Sequence, residues 1–178
     1  MENQTKGLIH VYTGDGKGKT TAAAGLALRA KGQGLKVCYV YFHKDPAKWG
    51  YTEHKTLRKL GVKVRGFAAK HPFCDKDADK TSIRQKCLKG LAFVKKAYLK
   101  NGYDLLILDE INISLRDGFL KIPEVLTLLA AKPTKLELVL TGRGAPAEII
   151  AAADLVSEIK KVKHPYDRGI PRRKGIEY

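Results

Sequence analysis

Short apolar runs rich in β-forming residues alternate with stretches of helical period along this chain of 178 residues. Leu8 to Tyr12 (LIHVY), Lys36 to Phe42 (KVCYVYF), Val62 to Phe67, Asp104 to Leu108 (DLLIL), Leu136 to Thr141 (LELVLT) and Asp154 to Ile159 each predict a strand. Between them, Lys19 to Lys31 predicts an alanine-rich helix closed by Gly32 and Gly34. Thr52 to Leu60 predicts a short helix ended by Gly61. From Asp79 to Lys100, Ile83, Cys87, Leu91, Val94 and Tyr98 recur at helical spacing. Ile122 to Ala131 and Pro146 to Ala153 complete the helices, and the tail from Lys160 has little period. Strands that are apolar throughout, each followed by a helix, imply a mainly parallel sheet of about six strands with helices on both faces. No repeat or linker interrupts the pattern, so residues 1–178 are expected to form a single α/β domain.

Composition narrows the class. Hydrophobic residues make up 44% and charged residues 29%, as in a globular protein. No apolar run approaches the roughly 18 residues of a membrane span, and MENQTKG lacks a signal-peptide core. A cytoplasmic protein with no membrane partner is expected. Cys38, Cys74 and Cys87 form no C-x-x-C pair, which argues against a disulfide framework or a structural zinc site. The net charge of +16 favours anionic partners. Most lysines are scattered and read as a solvated surface. The denser cluster is in the tail, at Lys160, Lys161, Lys163, Arg168, Arg172, Arg173 and Lys174.

Chemistry concentrates in GDGKGKTT, Gly14 to Thr21, set between the first predicted strand and the first helix. Gly14, Gly16 and Gly18 let the backbone approach a ligand closely. The loop's N–H groups and the helix N-terminus then converge on phosphate oxygens. Lys19 supplies a charge to the phosphates and Thr20 a hydroxyl to Mg²⁺. The first glycine of G-x-x-x-x-G-K-[ST] is replaced by Thr13, which is expected to make the turn out of the strand. Asp109 and Glu110 follow DLLIL, where P-loop proteins hold their metal. No base for activating water stands out. The residues alone therefore lead to a Mg-ATP-binding α/β domain.

Further motifs occur in order: VYTGDGKGKTTAAAGLALRAKG, LILDEIN, LVLTGRGAP, ADLVSEI and KHPYDRGIPRRKGIEY. Together, from about Gly7 to Tyr178, they closely resemble the P-loop class of ATP:corrinoid adenosyltransferases, which also carry threonine at the Thr13 position. The resemblance implies a P-loop NTPase-like (RecA-like) fold and transfer of the 5′-deoxyadenosyl group of ATP to the Co(I) of a corrinoid, with triphosphate as leaving group. Co(I) is itself the nucleophile, so in-line positioning and charge stabilisation replace a general base. ATP is implied to lie reversed relative to P-loop ATPases, exposing C5′. Thr13, Gly14, Asp15, Gly16, Lys17, Gly18, Lys19, Thr20 and Thr21 are implied to wrap the triphosphate, with Arg143 of TGRG and Arg29 as further phosphate contacts. Thr20, Glu110 and Asp109 are implied to hold Mg²⁺ or Mn²⁺, and Lys19, Thr20, Glu110 and Arg143 to carry the catalysis.

On the corrinoid side, two family aromatics that wall the lower face of the ring fall on His71 and Phe73. His71 departs from the family pattern, since imidazole can stack or can ligate cobalt. The resemblance further implies an electron donor for Co(II) and a homodimer. Some members carry a longer leader over the active site. Seven residues precede the first predicted strand here, so a lid is expected from a partner subunit or not at all. Lys163, His164 and Tyr166 match the family ending and are expected beside the ATP pocket. Two rivals remain at this level. The charge suggests a P-loop ATPase acting on nucleic acid, although no aromatic–basic stacking platform is present. The altered aromatic loop suggests a non-catalytic corrinoid- or ATP-binding protein.

Overall fold

A computed structural model describes residues 6–71, 78–100 and 102–177. The elements run β1 (Ile9–Thr13), α1 (Lys19–Gly32), β2 (Val37–Phe42), α2 (Pro46–Trp49), α3 (Glu53–Lys59), β3 (Lys63–Phe67), α4 (Lys80–Leu99), β4 (Leu105–Asp109), α5 (Ile111–Arg116), α6 (Ile122–Ala130), β5 (Glu137–Thr141), α7 (Ala147–Ala151) and β6 (Leu155–Glu158). A 3₁₀ turn (Pro165–Arg168) follows. All six predicted strands form, and one sheet joins them in the order β3-β2-β4-β5-β1-β6 with every pair parallel. The short helices α2 and α5 are additions to the sequence reading. With four and six residues they are too short to show a period.

The apolar strands divide their side chains by the period of two. In β4, Leu106 and Leu108 face a core built with Ile83, Cys87, Leu91 and Val94 of α4 and with Val125, Leu128 and Leu129 of α6. Leu105 and Ile107 face the other core, with Ala23, Ala27 and Ala30 of α1 and Leu57 of α3. Small alanines let α1 lie close on the sheet. Caps fix helix starts: the Asp79 carboxylate accepts from Thr81 N at 3.1 Å and Ser82 N at 2.8 Å, and Asp45 starts α2 the same way.

Parallel pairing has one consequence for the site. The carboxyl ends of all six strands lie on one edge, and ligands of open α/β sheets bind there. Thr13, Phe42, Phe67, Asp109 and Thr141 end neighbouring strands on that edge. β5 separates the glycine-loop strand β1 from β4, so β5's own end lies between the loop and the acidic pair. No helix among the described residues is long and apolar enough to cross a membrane.

Candidate active site at the carboxyl edge of the sheet

The loop after β1 wraps towards α1. Gly14 (φ 91°) and Gly18 (φ 132°) take backbone angles that L side chains rarely adopt. Gly16 is required by close approach: a Cβ there would stand 2.6 Å from the Lys160 carbonyl oxygen and 2.7 Å from that of Ile159. Gly16 N donates to the same Ile159 oxygen at 2.7 Å, which ties the loop to the chain leaving β6. Gly18 caps α1 without a side-chain bond, and no acid stands in the helix's first turn. The helix N-terminus therefore keeps its positive end for an anion. Lys19 is buried and its ammonium folds onto the carbonyls of Gly14 and Gly16, at 2.6 Å each. Burial, with Arg143 adding to it, pulls its pKa below the usual lysine value, against the pull of Glu110, Asp15 and Asp109.

Thr13 does more than turn the chain. It is buried, and its hydroxyl accepts from Ala145 N at 3.2 Å, joining the start of the loop to the segment after β5. That segment carries Arg143, which is exposed between Gly142 and Gly144 and close enough to act electrostatically on Lys19 and Glu110. Gly142 (φ 131°) takes an angle that L side chains rarely adopt, and a Cβ there would stand tight against the Asn112 Cβ at 3.0 Å.

The acidic pair splits into two roles. Asp109 is wholly buried. It accepts from Thr141 Oγ1 at 2.7 Å, from Thr20 Oγ1 at 3.1 Å and from Lys44 Nζ at 2.5 Å. Burial pushes its pKa up, but the Lys44 ammonium and these hydrogen bonds outweigh it and hold the carboxyl below the usual range. Glu110 follows in the left-handed region (φ 65°), a conformation that costs a non-glycine residue of order 1 kcal/mol. Its Oε2 is buried without a hydrogen-bond partner. Burial, reinforced by Asp109, pushes the Glu110 pKa up against the attraction of Lys44, Lys19 and Arg143. The carboxylate thus sits in a low-dielectric place that lacks a cation's worth of compensation.

Thr20, Asp109 and Glu110 are hard oxygen donors, which suit Mg²⁺ or Mn²⁺. The orphaned Glu110 oxygen and an ammonium already seated between Thr20 and Asp109 fit a cation site. The described residues hold no cluster of three or more His, Cys, Asp or Glu ligands. A cation here would take its other ligands from phosphate and water, as Mg²⁺ commonly does.

Sequence reasoning missed Lys44. Its side chain is only 7% exposed, and it also lies 5.3 Å from the centroid of the Tyr51 ring. A signal was present: a lysine two residues past a wholly buried strand stands on the ligand edge of a parallel sheet. The other predicted residues scatter more. Asp15, Lys17 and Thr21 lie on the exposed side of the loop. Lys17 pairs with Glu177 at 3.0 Å, so the chain's end folds back to the loop. Arg29 is exposed in the last turn of α1, about 15 Å along the helix from Lys19 at the helical rise.

His71 joins a second cluster farther along the same edge. Its Nε2 lies 2.7 Å from Asp117 Oδ2, and its ring stands edge-on to His43 and Phe119 at centroid distances of 5.1 and 5.7 Å. His43 Nε2 lies 2.7 Å from Ser114 Oγ. Burial, with the neighbouring His71, lowers the His43 pKa to about 4. Phe73 falls outside the described residues. His43 (φ 54°), Ala68 (φ 50°) and Glu110 directly follow β2, β3 and β4, so among the described residues the non-glycine ones in the left-handed region all border this edge.

The chain is similar to known proteins over nearly its whole length. A family model described as ATP:corrinoid adenosyltransferase BtuR/CobO/CobP matches residues 5–178. The chain is 35% identical over 173 residues to the corrinoid adenosyltransferase of Escherichia coli (strain K12), covering 97% of this chain and 86% of that protein. It is 34% identical to the corrinoid adenosyltransferase of Pseudomonas aeruginosa, over 97% of this chain and 84% of that one. Corrinoid adenosyltransferase CobA of Salmonella typhimurium is 34% identical over 175 residues, with 98% and 87% covered.

Proposed function

The chain belongs to the ATP:corrinoid adenosyltransferase family, and from that premise we propose how its residues divide the work. The protein is a transferase whose substrates are ATP and a corrinoid. The family places the chemistry at C5′ of ATP, where the corrinoid's Co(I) attacks and triphosphate leaves. The observation that carries the residue assignment is the joining of a lysine–threonine glycine loop to the buried Asp109 and the adjoining Glu110.

In this reading the loop Gly14–Thr21 and the N-terminus of α1 bind the triphosphate as leaving group. Lys19 leaves its carbonyl contacts for phosphate oxygens. Arg143 reaches the phosphates from the β5 side, where its fork suits two oxygens at once. Charge on the triphosphate grows as C5′ is displaced, and donors already in place stabilise it without reorganisation. Thr20 and Glu110 would hold a divalent cation, and Asp109 orients Thr20. Such a cation would supply charge neutralisation to the triphosphate. His71, oriented by Asp117, stands on the corrinoid side, and family resemblance assigns Phe73 to the same wall. The His71 Nε2 is directed to a carboxylate, which favours packing against the ring over ligation of cobalt. A homodimer, an electron donor for Co(II) and a cytoplasmic location complete the proposal, and they rest on family resemblance.

The test is anaerobic. Protein, Mg-ATP and chemically reduced Co(I) corrinoid are mixed, and the light-sensitive adenosyl–cobalt spectrum is followed with the phosphate product. Adenosylcorrinoid with equimolar triphosphate is expected. ADP and orthophosphate without adenosylcorrinoid would overturn the division of roles, and stimulation by DNA would point to the ATPase rival.

A further inference from the structure

Lys44 is a buried ammonium that bridges Thr20 and Asp109. It donates to Thr20 Oγ1 at 2.8 Å and to Asp109 Oδ2 at 2.5 Å. Its partners are the hydroxyl assigned above to the metal and the carboxylate that orients that hydroxyl, and Glu110 follows Asp109 directly. Desolvating an ammonium costs several kcal/mol unless its partners compensate, and an apolar side chain would fill the same space more cheaply. The arrangement makes sense where two adjacent buried carboxyl groups need a positive charge at all times. A divalent cation bound to Thr20 beside Asp109 and the ammonium of Lys44 would lie within a few ångströms of each other. Their mutual repulsion forbids joint occupancy at the present position.

We propose that Lys44 is a stand-in for the divalent cation. When no nucleotide is bound, its ammonium sits between Thr20 and Asp109, keeps free divalent ions out and holds both groups in register. It gives way when the cation arrives with the triphosphate. The Tyr51 ring, 5.3 Å from the ammonium, offers the near surface towards which the flexible lysine stem turns. The protein therefore takes up metal only together with ATP, and Lys44 is a positioning residue. This inference rests on the assignment of the metal to Thr20 and Glu110.

Direct binding of Mn²⁺, read from the loss of the free-ion EPR signal beyond that caused by ATP alone, tests it independently of activity. Wild-type protein is compared with Lys44→Met and with Lys44→Gln, with and without ATP. Wild type is expected to bind Mn²⁺ only with ATP. The variants are expected to bind it without ATP at least about tenfold more tightly than wild type does, the scale of removing a like charge at close range. Melting temperatures serve as the second readout. Millimolar Mn²⁺ should raise that of either variant and leave that of wild type unchanged. If neither variant gains affinity or thermal stability from Mn²⁺, or if wild type without ATP binds it as tightly as they do, the stand-in role is overturned. Failure of wild type to bind Mn²⁺ even with ATP would instead overturn the metal assignment itself.

Discussion

Asp109 and Glu110 are neighbours in sequence with opposite electrostatic fates. Asp109 spends its lone pairs on Thr141, Thr20 and Lys44, while Glu110 keeps a buried oxygen unpaired. Their neutral amides should therefore separate function from stability. Asp109→Asn removes one charge of a buried pair and should destabilise the protein by about 3–5 kcal/mol in urea unfolding. Glu110→Gln should do the reverse. A carboxyl whose folded pKa is raised adds stability only at acid pH, and this is lost as pH rises through the carboxylate range. At neutral pH its amide should melt no lower than wild type, yet bind Mg-ATP roughly 10- to 100-fold more weakly. Equal loss of stability in both variants would contradict the two roles. Arg143→Ala should leave melting unchanged, since the side chain is exposed, and lower the rate of transfer roughly 100-fold, as loss of one charge-stabilising donor does.

At the scale of elements, the glycine loop is held from outside by the chain leaving β6. Gly16→Ala puts a methyl against two carbonyl oxygens that are backbone and cannot rotate away. Overpacking of this kind costs about 1–3 kcal/mol. The expected result in isothermal titration is weakened ATP binding, because the loop must move off the Ile159 oxygen. A variant that binds ATP as wild type does would show that this seam does not shape the cradle. The long elements were legible because their patterns are repetitive: α4 buries Ile83, Cys87, Leu91, Val94 and Tyr98, the residues whose spacing predicts it. The helices α2 and α5 were not legible, since four and six residues carry no period and their starts depend on Asp45 and on the left-handed turn at Glu110. The site was legible in the same uneven way. Lys19, Thr20, Asp109 and Glu110 lie in local motifs, whereas the Thr13–Ala145 contact spans 132 residues.

Across the whole molecule, the buried His54 and the half-buried His43 contribute to the response to acid. Burial lowers His43 and His54 to about 4, and the His54 ring stacks on Tyr41 with centroids 3.9 Å apart. Free histidine titrates near 6.5. Between those values the unfolded chain binds more protons than the folded one, so stability rises with pH across that window and falls on acidification. The two together should cost a few kcal/mol between about pH 6.5 and 4. Urea unfolding at steps across that range checks it: the slope with pH should shrink in His54→Gln, and an unchanged slope would remove His54 from the account.

The amino-acid sequence by itself determined the alternation of strands and helices, the phosphate loop and the family-bearing motifs. Each is a local property: a period, a run of glycines that frees the backbone, a lysine–threonine pair at a helix start. Only the tertiary structure decided that β5 lies between β1 and β4, and that Thr20 meets Asp109 across 89 residues and Lys44 meets it across 65. It also decided which acid is satisfied and which keeps a buried oxygen unpaired. Strand order and burial make those choices, because a parallel sheet gathers the ends of distant strands onto one edge, and desolvation there turns an ordinary lysine or glutamate into part of a site.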